Sequence, residues 1–218
     1  MLSDNAYSRL LKRTLVAFVV FSLSFVICYF FLDRPIAEFS YRQNFARFEW
    51  LKWMTYPPPI VQSWSPLVIV GLMVRRAWGA WSKFEWTLLV SLLSVILADQ
   101  FRESLQIAFG RNWPETWIDK NPSLIGTGAY GFHFFAGDEE FGSFPSGHAA
   151  RTLAFFTPWW IAYPKGRWIY GTISLMICLA LIGMNYHFLG DVIEGAFLGA
   201  LVGVWMQRLV RSPATPCS

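Results

Sequence analysis

Six apolar runs joined by short charged connections constrain this chain more than any other feature of its sequence. They cover roughly Thr14–Leu32, Ile60–Val74, Phe84–Phe109, His148–Tyr163, Trp168–Met184 and Phe188–Val210. A helix needs about 20 apolar residues to cross a bilayer, and most of the runs approach that length while two fall short. Only helices and closed barrels satisfy their own backbone in lipid. The expected fold class is therefore all-α, a bundle of six transmembrane helices forming a single membrane domain over 1–218. Composition points the same way. Of the 218 residues 55% are hydrophobic and only 15% charged, against about 25% charged in a soluble domain.

The basic residues punctuate the runs. Arg9, Lys12 and Arg13, then Arg75, Arg76 and Lys83, then Lys165 and Arg167, then Arg208 and Arg211 all fall on one side of a six-span bundle. Lys and Arg mark the cytoplasmic side, so both termini are expected there. The formal charge of +4 is thus a matter of topology, and no nucleic-acid partner is expected. The opposite long loop, Gly110–Gly147, is acidic through Glu115, Asp119, Asp138, Glu139 and Glu140. The other outer segment, 33–59, carries Phe45, Phe48 and Leu51 at helical spacing, which predicts an amphipathic helix lying on the outer surface and ended by Pro57–Pro59. Cys28, Cys178 and Cys217 share no motif spacing, so neither a zinc site nor a disulfide framework is expected. The first run lacks a convincing cleavage site and is expected to remain as a helix.

The chemistry-bearing residues collect at the outer ends of these helices. All three histidines, His133, His148 and His187, lie there, and histidine is the side chain best suited to act as base or nucleophile near neutral pH. His187 and Asp191 are four apart at the start of the sixth helix, one turn apart on one face. A carboxylate holding one ring nitrogen leaves the other free for nucleophilic attack; the alternative is a polar pair between helices. Ser146 in Phe144-Pro145-Ser146-Gly147-His148 is a helix N-cap candidate. The free amides behind it suit a phosphate, although the same sequence also describes a well-capped helix. Arg111 suits either a phosphate clamp or an interfacial anchor beside Trp113 and Trp117. Asp99, Arg102 and Glu103 place charge inside the third run, and Arg151 follows His148 by three; both arginines suit either ion pairing or phosphate binding.

In that order, these segments resemble the type 2 phosphatidic acid phosphatase superfamily. Pro145-Ser146-Gly147-His148 matches its second motif, His187 and Asp191 its third, and Gly110-Arg111 with Pro114 its first. The resemblance covers roughly residues 84–205. It implies a six-helix bundle with an outward site where His187 is the nucleophile that forms a phosphohistidine and Asp191 orients it. His148 would protonate the leaving oxygen, while Arg111 and the amides of Ser146 and Gly147 hold the phosphoryl oxygens. Neither a metal nor another cofactor is implied.

Three cations of the family pattern are absent. Gln106 stands at the usual Lys, Trp113 at the usual Arg before Pro114, and Ala180-Leu181 at the usual Ser-Arg pair. Positive charge is often the largest catalytic term in such a site, so replacements are expected among Arg111, Arg102, Arg151 and His133. The implied function is hydrolysis of a lipid phosphate or diphosphate at the periplasmic face of a bacterial inner membrane. Candidate substrates are undecaprenyl diphosphate, phosphatidylglycerol phosphate, phosphatidate and a lipid A phosphate, and the bilayer itself is a partner. Two variants share the site: a phosphotransferase that passes the phosphoryl group to an acceptor lipid, and an inactive lipid-binding or transport relative. An intramembrane serine protease using Ser143 or Ser146 with His187 would leave His148 and Asp191 idle.

Overall fold

A computed structural model describes residues 4–117, 120–137 and 139–210; the sequence-based readings of Asp119, Asp138, Arg211 and Cys217 lie outside them. Among the described residues the chain is helical, with only isolated bridges in the loop after the third long helix. In order, the α-helices are α1 (Asp4–Ile27), α2 (Asp33–Arg42), α3 (Glu49–Thr55), α4 (Pro57–Arg76), α5 (Lys83–Phe109), α6 (Leu124–Thr127), α7 (Gly147–Ala162), α8 (Arg167–Gly183) and α9 (Leu189–Leu209).

Among the described residues five helical stretches are long and apolar enough to cross a membrane: Asp4–Arg42, Glu49–Arg76, Lys83–Phe109, Pro164–Gly183 and Leu189–Leu209. Six were expected. The difference is α7, whose 16 residues extend roughly 24 Å at 1.5 Å per residue. It lies inside the bundle against α5 and α9. The outer helices carry the lipid-facing surface; on α1 the side chains of Leu15, Val16, Phe18, Val19 and Leu23 are all more than half exposed. In water such a face would be an aggregation site, whereas in hydrocarbon it is the solvated one.

The connection after the first run also differs from expectation. α1 passes through one π-helical segment, Cys28–Leu32, straight into α2, so the helical stretch continues to Arg42. Asn44, at φ 51°, then reverses the chain. In place of one surface helix there are α2, a short 3-10 turn at Phe45–Arg47, and α3 packed on α8. Leu51 is buried with Ala180 and Met184. Pro57 occupies the first turn of α4, where its missing N–H costs nothing; the proline run starts a helix, not ends one. At α5 a capping box fixes the start: the Ser82 hydroxyl accepts from the Glu85 amide at 3.2 Å, and the Glu85 carboxylate accepts from the Ser82 amide at 2.7 Å.

The centre of the bundle is set by three glycines four residues apart on α9. A Cβ on Gly195 would stand 2.3 Å from the carbonyl oxygen of Ser146, and one on Gly199 would stand 2.0 Å from that of Ala150. On Gly203 it would meet the Thr157 side chain at 2.7 Å. Backbone approach through small residues is how helices pack in lipid, where hydrophobic association between them is weak. This contact draws the first turn of α7 against α9 and thereby places His148 beside the start of α9. The obstacle at Gly199 is backbone, with no rotamer to move aside. Gly199→Ala is therefore expected to lower unfolding free energy in detergent by about 1–3 kcal/mol. Gly71→Ala, where nothing lies within 4 Å, is expected to be neutral or better.

Candidate active site

The loop between α5 and α7 closes the end of the bundle. Gly110 turns the chain at φ 49°, and a Cβ there would strike the carbonyl of His133 at 2.3 Å. Arg111 then pairs with both Phe132 and Gly142 as isolated bridges, and its side chain runs inward. It is fully buried, with Nη2 2.7 Å from Asp33 Oδ2 and 3.0 Å from the Tyr130 hydroxyl, and Nη1 on Asp191. Phe25, Tyr29, Phe132 and Phe188 surround the guanidinium at 4.5–5.4 Å. Burial alone would weaken its hold on a proton, but Asp191 and Asp33 reverse this and hold Arg111 above its ordinary range. The structure places Arg111, expected as a phosphate clamp, fully buried between two carboxylates and outside the lining of the histidine cleft.

Asp191 is expected to hold His187 directly, and here too the structure differs. α9 starts at Leu189, so His187 precedes the helix and is not one turn below Asp191 on its face. Asp191 Oδ2 accepts from the amide of Phe188 at 3.0 Å and from the Ser143 hydroxyl at 2.7 Å. The carbonyl of that same Ser143 lies 2.9 Å from His187 Nδ1. A carbonyl only accepts, so Nδ1 carries the proton and Nε2 keeps its lone pair. The carboxylate thus orients the imidazole through one intervening residue. Burial, followed by the nearby His148, pushes His187 down to about 3, which keeps the ring neutral at ordinary pH.

His187 shares a cleft of about 610 Å³ with His148, Arg102, Arg151, Gln106, Gly147, Trp113 and Tyr186. The rings of His148 and His187 are 6.3 Å apart, and Trp113 covers His187 at 5.3 Å. Both arginines are anchored on Asp99, which is 2% exposed. Arg102 Nη2 reaches Asp99 Oδ1 at 3.1 Å, Arg151 Nη2 reaches the same oxygen at 2.7 Å, and Gln62 of α4 takes the other oxygen. Arg102 also bonds Gln106. Its Nε is buried without a partner, on the side where the Gly147 backbone passes; a Cβ on Gly147 would lie 3.3 Å from Arg102 Nε and 3.4 Å from Arg151 Nη1.

Two further expectations are corrected. The Ser146 amide is not available to a ligand: it donates to the carbonyl of Asp191 at 3.0 Å, while the Ser146 side chain caps α7. Gly147 and His148 remain at the cleft. His133 does not line it. Its ring stacks on Phe141 at 4.0 Å with Nε2 3.0 Å from Asn112 Oδ1, so it braces the loop. Ser143 and Ser146, the serines of the protease reading, are both fully buried. Sequence reasoning missed Asp33, Tyr130 and Gln62, whose pairing is decided across the bundle, and the anchoring role of Ser143. A carboxylate at the end of an apolar run was the available signal for Asp33. Among the described residues no three His, Cys, Asp or Glu side chains cluster to hold a metal ion.

The model of the PAP2 superfamily matches residues 85–213. The chain is 27% identical over 133 residues to a lipid A 1-phosphatase of Rhizobium johnstonii, covering 61% of this chain and 50% of that one. To a lipid A 1-phosphatase of Rhizobium etli it is 26% identical over 124 residues, 57% of this chain and 49% of that one. It spans about half the length of these curated relatives. The crystal structure of a PAP2-type phosphatidylglycerolphosphate phosphatase from Bacillus subtilis superposes with a TM-score of 0.52 at 15% identity, over 90% of this chain and 94% of that one, a likeness of fold. Independently of function, Arg111→Met strands two buried carboxylates and is expected to cost about 3–5 kcal/mol of stability. Arg111→Lys should restore little of it, since one ammonium cannot reproduce the fork that spans Asp33 and Asp191; thermal unfolding in detergent checks both.

Proposed function

The chain belongs to the PAP2 superfamily, and from that premise we propose that it is a lipid phosphatase acting through a phosphohistidine on His187. The carrying observation is the tautomer imposed on His187. Nδ1–H is held by the Ser143 carbonyl, which leaves Nε2 as the lone-pair nitrogen in a cleft that also holds His148 and two arginines.

The reaction follows from that arrangement. The phosphate of the lipid settles between Arg102, Arg151 and the first turn of α7, whose Gly147 backbone passes both guanidiniums. His187 Nε2 attacks phosphorus; the P–N bond forms as the bond to the lipid oxygen breaks, and that oxygen takes a proton from His148. The phosphate charge between two guanidiniums favours a proton on His148 at that moment. Water then attacks phosphorus, gives its proton to His148 and releases inorganic phosphate, which regenerates Nε2. Developing imidazolium character on His187 is stabilised at Nδ1 by Ser143, which Asp191 fixes in turn.

The missing family cations are replaced from neighbouring turns. Gln106 stands at the usual Lys, and Arg102 lies one helical turn earlier on the same face of α5. Leu181, at the usual Arg, is sealed in an apolar cluster with Ala149, Ile177 and Val192; Arg151 reaches the cleft from α7 instead. Trp113, at the third position, forms a lid over the nucleophile. Asp99 is then the positioning residue that aims both guanidiniums. The named activity of the Rhizobium relatives favours a lipid A phosphate as substrate. Undecaprenyl diphosphate, phosphatidylglycerol phosphate and phosphatidate present the same terminal group. In membrane terms α7 serves as the sixth span, and the cleft faces outward. The clusters at Arg9–Arg13, Arg75–Lys83, Lys165–Arg167 and Arg208 sit at the other helix ends, which supports cytoplasmic termini in an inner membrane.

Phosphate release from these lipids by the purified chain, with EDTA present, tests the reading. His187→Ala is expected to remove at least about 10³-fold of kcat; unchanged release would refute the nucleophile. Arg102→Met and Arg151→Met should each lower kcat/KM by roughly 10²-fold. Asp99→Asn, which keeps both arginines but loosens them, should have a smaller effect of about tenfold.

A further inference from the structure

At the end of the bundle remote from the cleft, α1, α7 and α9 enclose a second hollow, a groove of about 790 Å³. Its walls are apolar: Ala17, Phe21, Phe197, Ala200, Leu201 and Val204. Small side chains create the space, since Ala17 and Ala200 leave room where larger residues would bring the helices into contact. Phe21 stacked on Phe197 at 4.4 Å closes its inner end. Near its outer end Trp205 Nε1 donates to Thr14 Oγ1 at 3.1 Å and meets the edge of Tyr7 at 5.8 Å. From Phe197 to Arg208 the wall runs about 16 Å along α9, the depth of one leaflet's hydrocarbon, which is half of about 30 Å.

The mouth of this groove is charged. Arg9 and Arg13, one turn apart on α1, and Arg208, in the last turn of α9, all line it. None of the three forms an ion pair among the described residues. Three like charges gathered at the rim of an apolar slot call for an anion with a hydrocarbon tail. α1 meanwhile has no buried residue of its own, so an occupant would supply packing that its own neighbours do not.

We propose that this groove holds one phospholipid with an anionic headgroup, its acyl chain along Ala200 and its phosphate among Arg9, Arg13 and Arg208. The site is separate from the catalytic cleft and does not depend on the reaction assigned there. Phosphatidylglycerol is also the product of one candidate substrate of the cleft, so substitutions at groove residues, none of which lines the cleft, tell binding in the groove from binding in the cleft.

Native mass spectrometry of the full chain in detergent, titrated with dioleoylphosphatidylglycerol or dioleoylphosphatidylcholine, reads occupancy directly. One phosphatidylglycerol is expected to bind at least about tenfold more tightly than phosphatidylcholine. Replacing Arg9, Arg13 and Arg208 together by Gln should weaken it by roughly 100-fold; these side chains are exposed, so the variant keeps its fold. Ala200→Phe fills the slot and should abolish retention of both lipids. Equal binding of the two lipids, or a triple variant that binds as the wild type does, overturns the proposal. So does a dimer that Ala200→Phe dissolves, because a second copy would then be the occupant.

Discussion

A guanidinium sealed between two carboxylates holds the functional end of this protein together. Arg111 comes from the loop after α5, Asp33 from the junction of α1 and α2, and Asp191 from the first turn of α9. Each charge alone would be prohibitive at this depth, and the three are tolerable only together. Asp33 also accepts the Gly190 amide at 2.9 Å, and the Tyr130 hydroxyl donates onward to the Tyr29 carbonyl at 2.6 Å. The consequence reaches the cleft by short steps. Arg111 fixes Asp191, Asp191 fixes the Phe188 amide and the Ser143 hydroxyl, and Ser143 fixes the tautomer of His187.

A second set of charges stands on the other side of His148 and His187, and its logic is the reverse. Asp99 is one carboxylate shared by two guanidiniums, so the cluster of Asp99, Arg102 and Arg151 carries a net positive charge toward the cleft. Glu103, half exposed, pairs with Arg102 at 3.2 Å and does not reach Arg151. The Arg111 network sets one guanidinium on two buried acids and is closed to ligands; the Asp99 network sets two guanidiniums on one buried acid, with Glu103 on Arg102 from the exposed side, and lies beside the histidines. That contrast distinguishes the closed arginine from the two that line the cleft more clearly than depth in the membrane does.

Much was legible in the residues. Five of the six apolar runs correspond to helical stretches long enough to span, because lipid imposes a length and a polarity that a one-dimensional scan can read; the last three of these match their expected ends within a few residues, while the first two extend up to about ten residues beyond them. His148, His187, Gly147, Arg102, Arg151 and Gln106 do converge on one cleft. Other expectations failed for identifiable reasons. Helical spacing suggested that Asp191 touches His187, but a helix that starts two residues later changes which atoms face each other. Arg111 looked free because its partners, Asp33 and Asp191, are 78 and 80 residues away in sequence. The proline run at Pro57–Pro59 can read as a stop or a start, and only the direction of the following chain decides.

Residence in a bilayer, the course of most helices and the choice of candidate site residues are all legible in the residues alone. These are local properties: an apolar run, a cap or a histidine needs no partner to declare itself. The fold sets which arginine is enclosed between two carboxylates and which two line the cleft, and through which residue a carboxylate reaches the imidazole. Those are properties of pairs, set by the close backbone contact of α7 with α9 at Gly195 and Gly199 and by the loop that carries Arg111 inward. Charge in a low-dielectric interior takes its meaning from its nearest neighbours, and those neighbours come from distant parts of the chain.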